Sequence, residues 1–443
     1  MRGMYGKKDG RGIPLSDGLI DHVNLEQIKK KYKEIFYIED DMILDIICAV
    51  TIATKLKCDP IWLLIIGGSS SGKSELIGTL GKVPFVHQIS SMTENTFLSS
   101  MRTSDGKEAS LLHRIGVNGM ITMKDYTSIL SMRSEKRELI VSQMREIYDG
   151  KLDKEAGNGN PQHWEGKINW IGAVTDSVYL KEDESAGMGR RTINYIMPQQ
   201  DRKVTTRRAR SNNSDIGLKR TELQFAFAEY IMETINKMEG TLPDIDDELA
   251  EELVNLADFT TLSRTPTDRN FRGELILVPD AEMPMRVFHM FQTLAKVLLF
   301  MKGKLQREEK GILYKLAFDS IPKQRMLTLR ILAKHKSVTT KGAAQELRYP
   351  TETMRMWLEN VNVLGICERK QAGIATPDIW TMNPEFREIM LKYGDIQPDN
   401  DILKDDNEYT EAEEINPTWL LGSDDKGKIK EQKEAVSRLY DSF

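Results

Sequence analysis

The sequence predicts an α/β fold: a three-layer core around a parallel sheet, a helical lid, and a small winged helix-turn-helix domain after it. Three observations predict it. The run IWLLII at 61–66 is apolar without alternation, as in a strand buried on both faces. It breaks into a Gly/Ser loop, and the loop opens a helix at Lys73, as in a strand–crossover–strand unit. Two further apolar strands, 120–123 and 168–174, end at polar residues, and the chain finishes with three short helices and two short strands.

The loop carries the most specific motif. Gly67, Gly72, Lys73 and Ser74 match G-x-x-x-x-G-K-[ST], the phosphate-binding loop, with the required strand before it and helix after it. Gly67 and Gly72 let the backbone turn sharply so that N–H groups face phosphate oxygens. Lys73 is expected to reach the β/γ-phosphates of ATP, and the Ser74 hydroxyl to ligate Mg²⁺. The candidate nucleotide-binding set is therefore Gly67, Gly68, Ser69, Ser70, Ser71, Gly72, Lys73, Ser74 and Glu75.

The whole chain bounds the rest. At 443 residues it has room for about two to four domains. Its formal net charge of −5 excludes a global basic signature, so any nucleic-acid surface must be local. Three scattered cysteines argue against a disulfide framework or a zinc site and suit a reducing cytoplasm. No apolar run approaches the ~18–20 residues of a membrane span, and the charged N-terminus lacks the apolar stretch of a signal peptide. The expected organisation is an N-terminal extension at 1–37, an α/β core at 38–205, a helical lid with a basic linker at 206–315, a winged-helix domain at 316–393 and an acidic tail at 394–443.

Taken in order, 1–18 is polar and Gly-rich. Residues 25–57 read as two helices, and 38–56 is apolar nearly all round, hence buried. Asp59-Pro60 forces a break before the first strand. After the loop, 74–80 reads as a helix ended by Gly81, 83–89 as a strand, 90–98 as a turn and helix with Thr93 or Glu94 near its cap, and 101–106 as a loop. His87 and His113 are isolated and read as hydrogen-bonded structural residues.

The strand 120–123 ends at Lys124-Asp125, about fifty residues after the loop. Asp125 there can hold Mg²⁺ through water together with Ser74, or be a surface acid at a strand end. The residue after it, where a water-activating glutamate is usual, is Tyr126. Glu135, Glu138 and Glu146 on the helix 131–148 are the other candidate bases. The strand 168–174 ends at Thr175-Asp176, and Thr175 is the candidate for orienting the attacking water. In GMGRRTINYIM at 187–197, Arg191 is the candidate that reaches a neighbouring subunit's γ-phosphate in a ring-forming ATPase.

Several stretches have two open readings. The insert 151–166 reads as a hairpin that touches DNA through Lys151, Lys154, His163 and Trp164, or as a surface hairpin with Trp164 packed inward. The basic stretch 202–220 reads as a phosphate-facing strip or a solvated linker. Helices at 223–238, 243–259 and 280–305 form the lid, with Arg286 in the first turn of the last one, facing a nucleotide or solvent. The stretch 261–272 faces DNA or solvent. In 324–382, helices at 326–333, 339–347 and 351–362, the last capped by Thr351, precede strands at 364–367 and 379–381. Arg348, Thr353 and Arg355 would meet a DNA groove, with Arg369 and Lys370 on the wing, unless the module contacts only protein. The acidic stretch 395–425 is expected to be disordered, with an apolar island at 416–421 as a docking peptide for a replication partner, and 426–443 reads as a short amphipathic helix.

As a set, DPIWLLIIGGSSSGKSELI, KDYTSILSM with REIYDG, EGKINWIGAVTD, MGRRTINYIMP and LVPDAEMPMRVFHMFQTLAKVLL resemble AAA+ ATPases, and within them the MCM-like proteins of phages and bacterial mobile elements. The resemblance spans about 59–382. It implies ATP and Mg²⁺ at Lys73, Ser74 and Asp125, Thr175 as sensor 1, Arg191 as arginine finger and Arg286 as sensor 2. It implies a homo-oligomeric ring, a hexamer, around DNA. Two departures stand out. Tyr126 replaces an acid, which bears on turnover, and 1–37 is too short for a long N-terminal DNA collar, which bears on processive unwinding.

Overall fold

The computed structural model describes residues 24–100, 110–155, 160–176, 178, 190–211, 215–270, 272–370, 377–399 and 401–403. The expectations for 1–18, the loop 101–106, the hairpin tip, the glycines before Arg190, the turn of the wing, the apolar island at 416–421 and the terminal helix lie outside the described residues.

Five parallel strands form the central sheet: β1 (Trp62–Ile66), β2 (Val86–Ile89), β3 (Asn118–Met123), β6 (Lys167–Val174) and β7 (Thr192–Ile196), with β4 (Lys151–Lys154) and β5 (Gln162–Glu165) set apart as an antiparallel hairpin. The order across the sheet is β2-β3-β6-β1-β7. The chain leaves β1 for the far edge, works back through β3 and β6, and passes β1 to reach β7. That makes β1 a switch point, where open α/β sheets bind ligands outside the carboxyl ends of their strands. The register aligns those ends: Ile66 pairs with Val174 and Ile196, and Met123 with Gly172.

Both faces of the sheet are covered, which is why β1 is apolar throughout. Side chains alternate across the pleat. Leu63, Ile65, Ile171, Ala173, Ile193 and Tyr195 face one layer, built from helices Leu25–Ile35, Met42–Ala53, Ile216–Met238, Asp247–Ser263 and Met285–Lys302. Trp62, Leu64, Ile66, Ile168, Trp170 and Val174 face the other, built from helices Thr127–Leu130 and Ser134–Tyr148 and the hairpin. In the first layer the buried Asp45 lies between Lys29 and Lys302, 2.9 Å from the latter, tying three helices together.

The lid helices are thus part of this layer. Helix Met285–Lys302 packs on Met42–Ala53 and on Asp247–Ser263. The expected boundaries at 205/206 and 315/316 fall inside helices Arg202–Ser211 and Arg307–Asp319. The second of these helices has no counterpart in the sequence expectation, though its capping box, Gln306 with Glu309, is a local signal. The helix expected within 90–98 is absent: Thr96 Oγ1 accepts from Thr93 N at 2.8 Å, a side-chain bond that competes with helix formation.

The C-terminal unit has helices Lys323–Lys334, Thr340–Leu347 and Thr351–Val363. Its sheet runs β11 (Cys367–Lys370), β12 (Ile379–Met382), β10 (Ser337–Thr339) and β13 (Ile402–Leu403), after the small hairpin of β8 (Asp268–Arg269) and β9 (Leu275–Leu277). Residues 337–339 form β10 and pair with β12, so the helix expected from 339 starts at Thr340. Thr351 is the first helical residue, with Pro350 at the cap position, not itself the cap. Among the described residues no helix is long and apolar enough to cross a membrane.

Candidate functional site

The Gly/Ser loop leaves β1 at the carboxyl edge, pinned by Gly67 N to Val174 O (3.2 Å) and by Met197 N to Ile66 O (2.8 Å). A Cβ on Gly67 would meet Ser71 Oγ at 3.0 Å and the Met197 Cβ at 3.2 Å, tighter than ordinary contact, so glycine suits the close approach of the chain after β7. Gly72 has φ 91° and Ser70 has φ 62°, two left-handed turns within three residues. Lys73 folds back into the loop. Its ammonium donates to Gly67 O and Gly68 O, both at 2.6 Å, and to Ser71 Oγ at 3.3 Å. Burial pulls the Lys73 pKa down, while the nearby Asp176 and Asp125 carboxylates push it up. Both acids therefore lie within electrostatic reach of the ammonium.

Asp125 and Thr175 converge beside the loop. Asp125 is exposed, and its Oδ1 accepts from Thr127 N at 3.0 Å. Thr127 Oγ1 accepts from Thr175 N at 3.2 Å and lies 3.5 Å from Thr175 Oγ1. Thr127 thus bridges the ends of β3 and β6. It is absent from the sequence candidates, although Asp-Tyr-Thr carries the local signal of an aspartate capping its own turn. Asp176 is the other omission: it follows Thr175, faces Lys73 electrostatically, and pairs with Lys323 of the C-terminal unit at 3.5 Å.

Tyr126 points the other way. It is buried, its ring meets Trp170 edge-on at 5.2 Å, and burial raises its pKa. The backbone explains this, since Tyr126 N donates to Ala173 O at 2.7 Å and turns the side chain into the sheet layer. An acid here would be a buried carboxylate. Glu135, Glu138 and Glu146 are all exposed. Helix Ser134–Tyr148 ends with Tyr148 against Trp62 (5.2 Å), the first residue of β1, so Glu146 stands at the opposite edge of the sheet from the loop.

A cavity of about 310 Å³ opens beside the loop helix, lined by Phe36, Ser74, Glu75, Lys124, Arg220 and Gln224 among others. It brings Ser74 next to the end of β3. Arg220, expected in a basic linker, pairs instead with Glu75, Nε to Oε2 at 2.8 Å.

Arg191 and Arg286 meet at the amino edge. Arg191 precedes Thr192, whose partner is Trp62, so it sits beyond a full strand from Gly67, about 20 Å at ~3.3 Å per residue. It pairs with Asp149, and its guanidinium lies 5.7 Å from the Tyr148 ring centroid. Arg286 lies 5.6 Å from the same ring and pairs with Glu282 at 2.7 Å. Beside them is a cavity of about 670 Å³ lined by Asp59, Tyr148, Asp149, Glu282, Arg286 and His289, among others. Neither arginine faces the loop of its own chain.

The expected DNA contacts fare unevenly. The hairpin forms, but Trp164 is buried and donates Nε1–H to Gly116 O at 2.8 Å, so the inward reading holds. Lys154 Nζ is held by Glu94 O, Asn95 Oδ1 and Leu98 O at 2.7–3.1 Å, not presented outward. Lys151 and His163 are exposed and both pair with Asp153. His113 is structural, bonded to Ser110 Oγ and His163 O. Arg348 and Arg355 are exposed and Thr353 half-buried, whereas the Met356–Asn360 side of that helix is gripped by Arg269, which bonds Met356 O, Glu359 and Asn360. Two arginines of the stretch 261–272 therefore work inside the molecule: Arg269 grips that helix, and Arg264 is buried and bonds Thr192 O, Arg190 O and Glu282. Arg369 pairs with Asp378 over the Trp380 ring, and Lys370 is exposed.

No family model matches the chain, and comparison with curated proteins finds no match.

Proposed function

We propose that the chain is a DNA-dependent ATPase of the AAA+ class that works as a ring, a hexamer, in the replication of a phage or mobile element, as helicase or initiator. The observation that carries this reading is the division of one charge set between the two edges of the sheet. Lys73, Ser74, Asp125, Thr175 and Asp176 gather at the carboxyl edge, and Arg191 and Arg286 gather at the amino edge.

The residues present fit a triphosphate and Mg²⁺. The loop turns twice through left-handed positions, and the Lys73 ammonium rests on carbonyl and hydroxyl oxygens that phosphate oxygens can replace. Bound ATP with its metal would supply the phosphoanhydride and the positive charge that balances it. Lys73 would hold the β/γ-phosphates, and Ser74 and Asp125 the metal. Thr175, fixed by Thr127, would orient water. Arg191 and Arg286 would serve the site of the adjacent copy, where a guanidinium stabilises transition-state charge. The helices and antiparallel strands of 323–382 support a winged-helix reading of the C-terminal unit.

A second reading has an observation of its own. Tyr126, where a water-activating acid is usual, is buried and faces the core, which favours a slow ATPase acting as loader, remodeller or DNA-binding regulator with little unwinding. Strand displacement with the parent and with Lys73→Ala separates the two, since only a helicase loses duplex opening. The test of the reading itself is ATPase rate against DNA concentration, paired with mass in solution with nucleotide present. A rate indifferent to DNA in a protein that stays monomeric would overturn it.

A further inference from the structure

The chain carries a net charge of −5, yet helix Arg202–Ser211 holds five cations and no acid. Asp201 caps it, with Oδ1 accepting from Lys203 N (2.8 Å) and Val204 N (2.9 Å). Val204, Thr205 and Arg208 are half-buried, and Arg208 donates to Glu34 O at 3.3 Å, so this face rests on the end of helix Leu25–Ile35. At 100° per residue, Lys203, Arg207 and Arg210 fall within an arc of about 60° on the other face. All three are exposed. They span about 10 Å along the axis, the length over which one strand of a B-form duplex presents about three phosphates.

The other candidate surfaces are weaker. On the exposed side of the hairpin, Lys151 and His163 face Asp153 and Glu165. On helix Thr351–Val363, Arg355 neighbours Glu352, and Arg269 grips an adjacent side. Helix Arg202–Ser211 also has a path to the phosphate loop: β7 leads to it, and Met197, at the end of β7, has its Sδ 3.6 Å from Ser71 Oγ.

We infer that the Lys203–Arg207–Arg210 face of helix Arg202–Ser211 is the surface that lies along the phosphate backbone of nucleic acid. This rests on the DNA reading above and goes beyond it by naming the surface. Because β7 joins the helix to the loop, a change of loop shape on nucleotide binding reaches the cations through five residues of chain.

The test uses the full chain with a fluorescein-labelled single strand and a duplex, each of about 30 nucleotides, titrated from about 50 to 200 mM KCl. The parent is compared with K203Q/R207Q/R210Q and with R207Q alone. The triple variant should lower the slope of log affinity against log salt by about 2 for the single strand and about 3 for the duplex. R207Q should lower it by about a third as much, and K57Q/K136Q, at exposed lysines outside the candidate DNA surfaces, should leave it unchanged. Which polymer shows its full expected loss tells strand from duplex. If the parent binds DNA and the triple variant binds with the parental slope, the inference fails and the DNA reading stands. If the parent binds neither polymer but binds vesicles of anionic phospholipid, both fail.

Discussion

The two edges of the central sheet are built from different materials. The carboxyl edge is made of backbone turns and short polar side chains, with one lysine folded onto loop carbonyls. The amino edge is made of long side chains, two arginines over a single tyrosine ring, each held by a carboxylate. The first carries the loop turns and the lysine of the proposed phosphate site. The second holds its positive charge at the far end of the strands from the loop of its own chain, about 20 Å at ~3.3 Å per residue. In the proposed function a second copy of the chain brings the two edges together.

The sharpest way to break this contrast is at the carboxyl edge. Lys73→Ala should cut phosphate release at least about a hundredfold, as loss of a charge-stabilising donor does. Unchanged turnover would remove the proposed site. At the amino edge, Arg191→Ala should leave binding of a fluorescent ATP analogue intact and lower hydrolysis about a thousandfold. Weakened binding with normal turnover of what binds would mean that the arginine serves its own chain.

Smaller effects separate structural residues from those of either edge. Trp164→Ala should cost about 3–5 kcal/mol in chemical unfolding and leave the salt dependence of DNA binding unchanged, because the ring is buried. A stable variant with a lowered salt slope would restore the hairpin as a DNA contact. The smallest effect concerns Glu252, far from both edges. Burial would raise its pKa, but hydrogen bonds from Lys392 and Tyr314 and the charge of Lys310 hold it below the usual carboxylate range. A depressed folded pKa gives stability that is present above that range and is lost as pH falls through it. Thermal melts of Glu252→Gln and parent should differ at neutral pH and converge in acid. A gap that persists there would assign the effect to packing.

What could be read from the chain was local. The loop motif is contiguous, and the apolar runs on either side of it announce strands that the sheet contains. Asp125 and Thr175 were legible because each ends such a run, and Thr127 was within reach as part of an Asp-x-Thr turn. Tyr126 was visible as a departure, but only its bond to Ala173 shows that it faces the core. The meeting of Arg191 with Arg286 depends on packing across 94 intervening positions and leaves no periodic trace. Arg269 and Lys154 looked like surface cations because composition cannot distinguish a cation facing solvent from one that satisfies backbone carbonyls. The lid looked separate because its helices are amphipathic by themselves, and only packing on Met42–Ala53 places them in the core layer.

The measurement that bears most directly on the central claim is a mixing experiment. Lys73→Ala and Arg191→Ala chains, each inactive alone, are combined with ATP, Mg²⁺ and DNA, and phosphate release is followed as the ratio varies. A site shared between copies predicts activity that rises on mixing and peaks at intermediate ratios, where an intact loop meets an intact Arg191. Activity that stays at the level of the separate variants at every ratio, in protein shown to have assembled, would contradict it.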